Sequence, residues 1–135
     1  MSKTVLVTGI SGFIGIYCAK YLLNEGYKVK GTVRNYSKKE EVINTFKKND
    51  ININNLTFEI LELTSDNGWD KAINGCQFVM HVASPFRIAN PRNEDEMISP
   101  AVEGTRRVLE ASQKAGVKRI VLTSSIVSMM SSIRR

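Results

Sequence analysis

Short apolar runs alternate along this chain with longer stretches of helical period. Residues 3–8 (KTVLVT) form the first run. Its unbroken apolar character suits a strand covered on both faces. Glycines follow, then a helical pattern over Phe13–Asn24. Ile14, Cys18 and Leu22 fall at i, i+4 and i+8 and predict its buried stripe, with Tyr17 and Tyr21 beside them. Gly26 is placed to stop this helix, and residues 27–33 return to strand character.

Residues 37–48 are polar, with Val42, Ile43 and Phe46 at helical spacing. Ser37 followed by Glu40 predicts a capping box at the start of that helix. Residues 56–61 read as a third strand, 67–73 as a short helix and 76–81 (CQFVMH) as a fourth strand. Residues 86–92 form a loop that either touches substrate or crosses the sheet edge. A long helix spans 94–115, with Pro100 near its start or at a kink. Val102, Thr105, Leu109 and Ser112 are its expected inward stripe, and Gly116 ends it. Residues 119–123 (RIVLT) make a fifth strand, before a serine-rich tail over 124–135. Strands alternating with helices in this way predict an α/β fold of parallel βαβ units with right-handed crossovers.

Composition adds limits. The 135 residues suit one domain, and 42% hydrophobic with 24% charged residues is ordinary globular usage. Disorder, collagen and disulfide scaffolds are excluded on that ground. Nineteen basic against 13 acidic residues give a net charge of +6. Basic residues are spread along the chain, without a long like-charge block or interleaved aromatics, so a solvated surface is expected rather than nucleic-acid binding. Cys18 and Cys76 are read as small apolar residues in a reducing compartment. No secretory signal or 18-residue apolar stretch occurs, so the expected location is the cytoplasm, with no membrane partner. No metal site is expected.

The sharpest chemical signal is Thr8-Gly9-Ile10-Ser11-Gly12-Phe13-Ile14-Gly15, set between the first strand and the first helix. Gly9 would permit the tight turn, Gly12 would admit a pyrophosphate beside the backbone, and Gly15 would let helix and strand pack closely. The helix start would present free N–H groups and its positive end to the anion. The second strand ends in Arg34, within GTVRN. An acidic residue there would bind the ribose hydroxyl of NAD; a guanidinium instead suits a 2′-phosphate. NADP is therefore expected as the cofactor in preference to NAD. Lys38 and Lys39 either add point charges to that site or form an ordinary solvated helix start.

The segments VLVTGISGFIG, GTVRN, HVASPF, PAVEGTRRVLEAS and VKRIVLTSS follow one another in order. In this the chain resembles the N-terminal half of extended short-chain dehydrogenases/reductases, the NAD(P)-dependent epimerase/dehydratase superfamily. It is most similar to their dihydroflavonol reductase and cinnamoyl-CoA reductase-like branch. The resemblance implies a Rossmann-type doubly wound parallel sheet and an NADPH-dependent oxidoreductase that reduces a small aldehyde or ketone to an alcohol. It implies that Gly9, Gly12 and Gly15 form the pyrophosphate turn, with Phe13 and Ile14 lending backbone N–H groups, and that Arg34 holds the 2′-phosphate. Glu62-Leu63 stands where the family has an Asp-Leu pair against adenine; the longer side chain alters that reach. Val82, Ala83 and Ser84 would line the cofactor. Thr123 would sit beside the nicotinamide, and Ser125 matches the family's catalytic serine. His81 is expected to be a plain strand-end residue.

One departure changes the functional expectation. The family's chemistry uses a Tyr-x-x-x-Lys pair that delivers the proton. The tyrosines here are Tyr17, Tyr21, Tyr27 and Tyr36, and Tyr21, Glu25, Gly31 and Glu40 stand four residues after them. The chain is thus expected to carry the cofactor-binding half, truncated after the fifth strand, and to be inactive alone. Alternatives are a short protein that binds a dinucleotide or a partner without catalysis, and a fragment of an NAD-dependent sugar epimerase or dehydratase. The fifth strand is expected to be a sheet edge prone to self-association.

Overall fold

Alternation along β1 (Thr4–Thr8) sends Val5 and Val7 to one side of a sheet and Leu6 to the other, all three buried. Both sides must therefore be covered, and both are. The computed structural model describes residues 2–85 and 92–130. In it β2 (Lys28–Val33), β3 (Leu56–Ile60), β4 (Phe78–His81) and β5 (Arg119–Leu122) join β1 in a five-stranded sheet of order β3-β2-β1-β4-β5. Every pairing is parallel. Helices α1 (Phe13–Asn24) and α2 (Tyr36–Lys48) cover the Val5 side, where Val29, Val42 and Phe46 complete the core. Helices α3 (Trp69–Ile73) and α4 (Asp95–Lys114) cover the other, where Leu6 and Val79 meet Trp69, Val108 and Ala111. This is the expected Rossmann-like α/β arrangement. The order reverses between β1 and β4, which opens a crevice at their carboxyl ends.

Four expectations need correction. In α1 the buried residues are Gly15, Ala19 and Leu22, while Ile14 is exposed and Cys18 only half-buried. Gly15 and Ala19 are small because the helix lies close against the turn and sheet there, so the large side chains of Phe13, Ile14 and Tyr17 point away. In α4 the inward face is Gly104, Val108, Ala111 and Ser112, and Val102 and Leu109 are exposed. The close fit of Gly104 against Leu63 turns that helix by one position. At the start of α2 it is Asn35, and not Ser37, that caps, its side chain accepting from the Lys38 N–H at 2.9 Å. Ser37 is already inside the helix. Finally, part of the serine-rich tail is helical, as α5 (Ile126–Met130).

Gly26 and Gly116, at φ 81° and 68°, do follow the ends of α1 and α4. Pro100 lies inside α4, near its start. Residues 86–91 of the loop assigned a substrate contact or an edge crossing lie outside the described residues, as do 131–135 of the tail. β5 forms one edge of the sheet, with Val121 and Leu122 half-exposed.

Candidate cofactor site

The turn from β1 to α1 is shaped by three glycines with different constraints. Gly9 has φ 66°, a left-handed conformation, and a Cβ on it would come within 3.0 Å of the Ala83 backbone. A Cβ on Gly15 would lie 2.2 Å from the Gly9 carbonyl oxygen, so helix and turn touch there. Gly12 differs. A Cβ there would meet only the Gly9 oxygen, at 3.4 Å, and its φ of −78° is open to any residue. Packing inside the chain therefore does not demand glycine at position 12; the space in front of it is left for something else. Gly12 is also the N-cap of α1, no side chain caps this end and its first turn has no acidic residue. The first N–H groups of the helix thus face outward at its positive end, beside the exposed Phe13 and Ile14.

The turn is anchored from both flanking strands. On one side the Gly9 N–H donates to Thr32 Oγ1 at 3.1 Å, and the Ile10 N–H to the Thr32 carbonyl at 3.2 Å. On the other, Thr8 Oγ1 accepts from the Val82 and Ala83 N–H groups, both at 3.0 Å. With both lone pairs engaged, the Thr8 hydroxyl proton is directed to His81 Nδ1, 2.8 Å away. That makes Nδ1 the acceptor and leaves the ring proton on Nε2. Burial pushes the His81 pKa below its ordinary 6.5, in keeping with a neutral ring. His81 is thus more than a strand-end residue: it completes the support of the segment at Val82 and Ala83. Sequence reading missed Thr8 and Thr32 as anchors, because nothing in their local pattern announces a partner in another strand.

Arg34 follows β2 directly and is exposed. Among the described residues its guanidinium has no hydrogen-bond or ion-pair partner, so its charge is free. Lys38 is one turn into α2, also exposed, and its ammonium pairs with Glu41 at 2.7 Å. Glu62 and Leu63 lie just after β3, at the same carboxyl edge of the sheet. Glu62 is exposed and Leu63 half-buried.

Val82, Ala83, Ser84, Thr123 and Ser125 converge on a cavity of about 230 Å3 beyond β4 and β5. His81, Ala101 and Thr105 also line it; Ala101 and Thr105 were not foreseen from sequence. The Thr123 N–H donates to the His81 carbonyl at 3.1 Å, carrying the β4–β5 ladder to the cavity wall. Ser125 Oγ accepts from the Val127 N–H at 3.3 Å at the start of α5. A larger cavity of about 480 Å3 opens at the amino ends of the strands, among Lys28, Lys30 and Asn54. It is remote from the glycine turn and from the crevice where open α/β sheets bind ligands.

Comparison with known proteins bears on this arrangement. The model of the NAD dependent epimerase/dehydratase family matches residues 5–132. The chain belongs to that family. It is 39% identical over 130 residues to an uncharacterized oxidoreductase of Schizosaccharomyces pombe, covering 94% of this chain and 38% of the relative. It is 40% identical over 124 residues to cinnamoyl-CoA reductase 2 of Medicago truncatula, covering 92% and 35%. Its fold is similar to that of yeast methylglyoxal/isovaleraldehyde reductase Gre2 complexed with NADPH. There the TM-score is 0.77 and the identity 32%, over 90% of this chain and 37% of that one. The chain therefore spans well under half the length of these relatives. The residues here fit a dinucleotide phosphate: the turn leaves room at Gly12, beside a helix start with no side-chain cap.

Proposed function

We propose that this chain is the NADPH-binding part of a carbonyl reductase. The observation that carries the proposal is the space at Gly12, which no contact within the fold requires, facing the free N–H end of α1. The pyrophosphate would sit on the N–H groups of Phe13 and Ile14, between Gly9 and Gly12, in reach of the helix dipole. Arg34, which has no hydrogen-bond or ion-pair partner among the described residues, would take the 2′-phosphate in a bidentate, charge-assisted contact. Lys38 would add charge beside it, shared with Glu41. Glu62 and Leu63 would meet the adenine, and Val82, Ala83, Ser84 and Thr123 would line the cofactor's path to the cavity.

NADPH, when bound, supplies a hydride to the carbonyl carbon of an aldehyde or ketone. Ser125, in the wall of that cavity, would donate its hydroxyl proton in a hydrogen bond to the carbonyl oxygen. These 135 residues contain no Tyr-x-x-x-Lys pair to deliver the proton. The chain by itself is accordingly proposed to bind NADPH without turning over a carbonyl. The edge of β5, with half-exposed Val121 and Leu122, offers unpaired backbone groups to a further strand, and pairing with another copy is part of the same reading. Free Cys18 and Cys76 suit a reducing cytoplasm.

The test is a fluorescence titration of the chain with NADPH beside an aldehyde-reduction assay, with sedimentation to report self-association. Saturable binding without turnover is the expected result. Absence of NADPH binding would overturn the cofactor reading, and turnover would overturn the assignment of the proton donor.

A further inference from the structure

We propose that Arg107 is a positioning residue, which holds the loop after β3 in place so that Glu62 and Leu63 can meet the adenine end of the dinucleotide. The inference rests on the cofactor reading above.

The loop between β3 and α3 is thinly supported from within. Its own bonds include Ser65 N–H to the Glu62 carbonyl at 3.1 Å and Asn67 N–H to Ser65 Oγ at 3.3 Å. External support comes from two sides: the Trp69 Nε1–H of α3 donates to the Ser65 carbonyl at 3.0 Å, and α4 holds Leu63 and Asp66. At Gly104 the helix has a notch that the Leu63 side chain fills: a Cβ on Gly104 would lie 2.5 Å from Leu63 Cγ. One turn further along, Arg107 Nη1 donates to the Leu63 carbonyl at 3.3 Å, and Arg107 Nε donates to the Asp66 carboxylate. One guanidinium thus ties down both Leu63 and Asp66.

The burial of the two partners is unequal. The Arg107 side chain is 15% exposed and that of Asp66 81%. A cation kept largely out of water is held there by what it bonds, and the flat fork of arginine reaches both acceptors from different nitrogens. The neighbouring Arg106 makes the contrast. It is half-exposed and, among the described residues, pairs along its own helix with Glu103 and Glu110. The Glu62 carboxylate, for its part, has no hydrogen-bond or ion-pair partner among the described residues. The loop is therefore fixed through its backbone and Leu63 while Glu62 is left free for a ligand.

The experiment compares the 135-residue chain with Arg107→Ala, Asp66→Ala and Arg106→Ala. Each is titrated with 2′,5′-ADP and with NADPH, and amide hydrogen exchange is followed residue by residue. Arg107→Ala should weaken 2′,5′-ADP about tenfold, and Asp66→Ala about threefold, as expected for lost charge-assisted bonds. Arg106→Ala should leave the affinity unchanged. Faster exchange in Arg107→Ala should be confined to residues 62–67, with the glycine turn at 9–15 still protected. Unchanged affinity in Arg107→Ala, or exchange rising equally in the turn, overturns the inference. Should Arg107→Ala fail to fold, the exposed Asp66 decides: Asp66→Ala with unaltered affinity overturns it as well. If the parent chain binds neither ligand, the cofactor reading itself falls and this inference with it. Binding by the parent with no change in the variants removes this inference alone.

Discussion

Thr8 Oγ1 stands 2.8 Å from His81 Nδ1 where β1 and β4 end side by side, and the same oxygen accepts the N–H groups of Val82 and Ala83. One hydroxyl so joins the end of the first strand to the segment proposed to line the cofactor. Its position makes it the first target for mutation. Thr8→Val keeps the shape and removes the acceptor and the donor together. Two backbone N–H groups would lose their partner, and the fold should lose about 2 kcal/mol, read as a lower urea midpoint. An unchanged midpoint would show that water replaces the hydroxyl freely.

The pH dependence follows from His81. Burial holds its folded-state pKa below the 6.5 of an unfolded chain. Above that value both states are neutral and stability is at its full level. As pH falls through 6.5, the unfolded chain takes up a proton that the folded chain refuses, so stability declines until the lower folded pKa is passed. Urea unfolding at about pH 7.5 and about pH 5.5 should show this loss. His81→Gln should remove the part of the slope nearest 6.5.

The glycines should separate structure from binding. Gly12→Ala leaves the chain folded, because its Cβ meets nothing closer than 3.4 Å, yet NADPH affinity should fall about tenfold or more as the methyl enters the phosphate space. Gly15→Ala places a Cβ 2.2 Å from the Gly9 oxygen and should destabilise the fold by roughly 3 kcal/mol. Thermal melts and NADPH titrations of both variants distinguish the two roles.

Arg34→Asp tests the choice of cofactor. NADPH affinity should drop about a hundredfold, since a charge-assisted contact becomes a repulsive one, while NADH is weakened little or gains. Equal losses for both cofactors in parallel titrations would remove Arg34 from the 2′-phosphate site.

The strands were legible because a sheet buried on both sides leaves continuous apolar runs such as VLV in β1. Helix boundaries also came within a residue or two, through Gly26 and Gly116. The helix faces were harder to read. Periodicity assigns large apolar residues inward, but α1 packs through Gly15 and Ala19 and leaves Phe13, Ile14 and Tyr17 outside. In α4 the deciding contact is between Gly104 and Leu63, which lies in the loop after β3, distant in sequence. At α2 the capping-box pattern pointed to Ser37, whereas the cap is Asn35, two residues earlier, where the backbone is still extended. Of the proposed site, the glycine turn and the place of Arg34 just after β2 could be read locally. Thr8, Thr32, Ala101 and Arg107 could not, because each acts through a segment distant in sequence.

The contact between Gly9 and Ala83 also bears on the order of assembly. The glycine motif is complete by residue 15, yet its geometry is held by a partner 74 residues beyond Thr8. During synthesis the motif would leave the ribosome early and wait, unheld on that side, until the end of β4 arrived. The proposed grip on a dinucleotide would thus be gained late, after the first four strands have come together, and a lesion far down the chain at Val82 or Ala83 would be felt at its beginning.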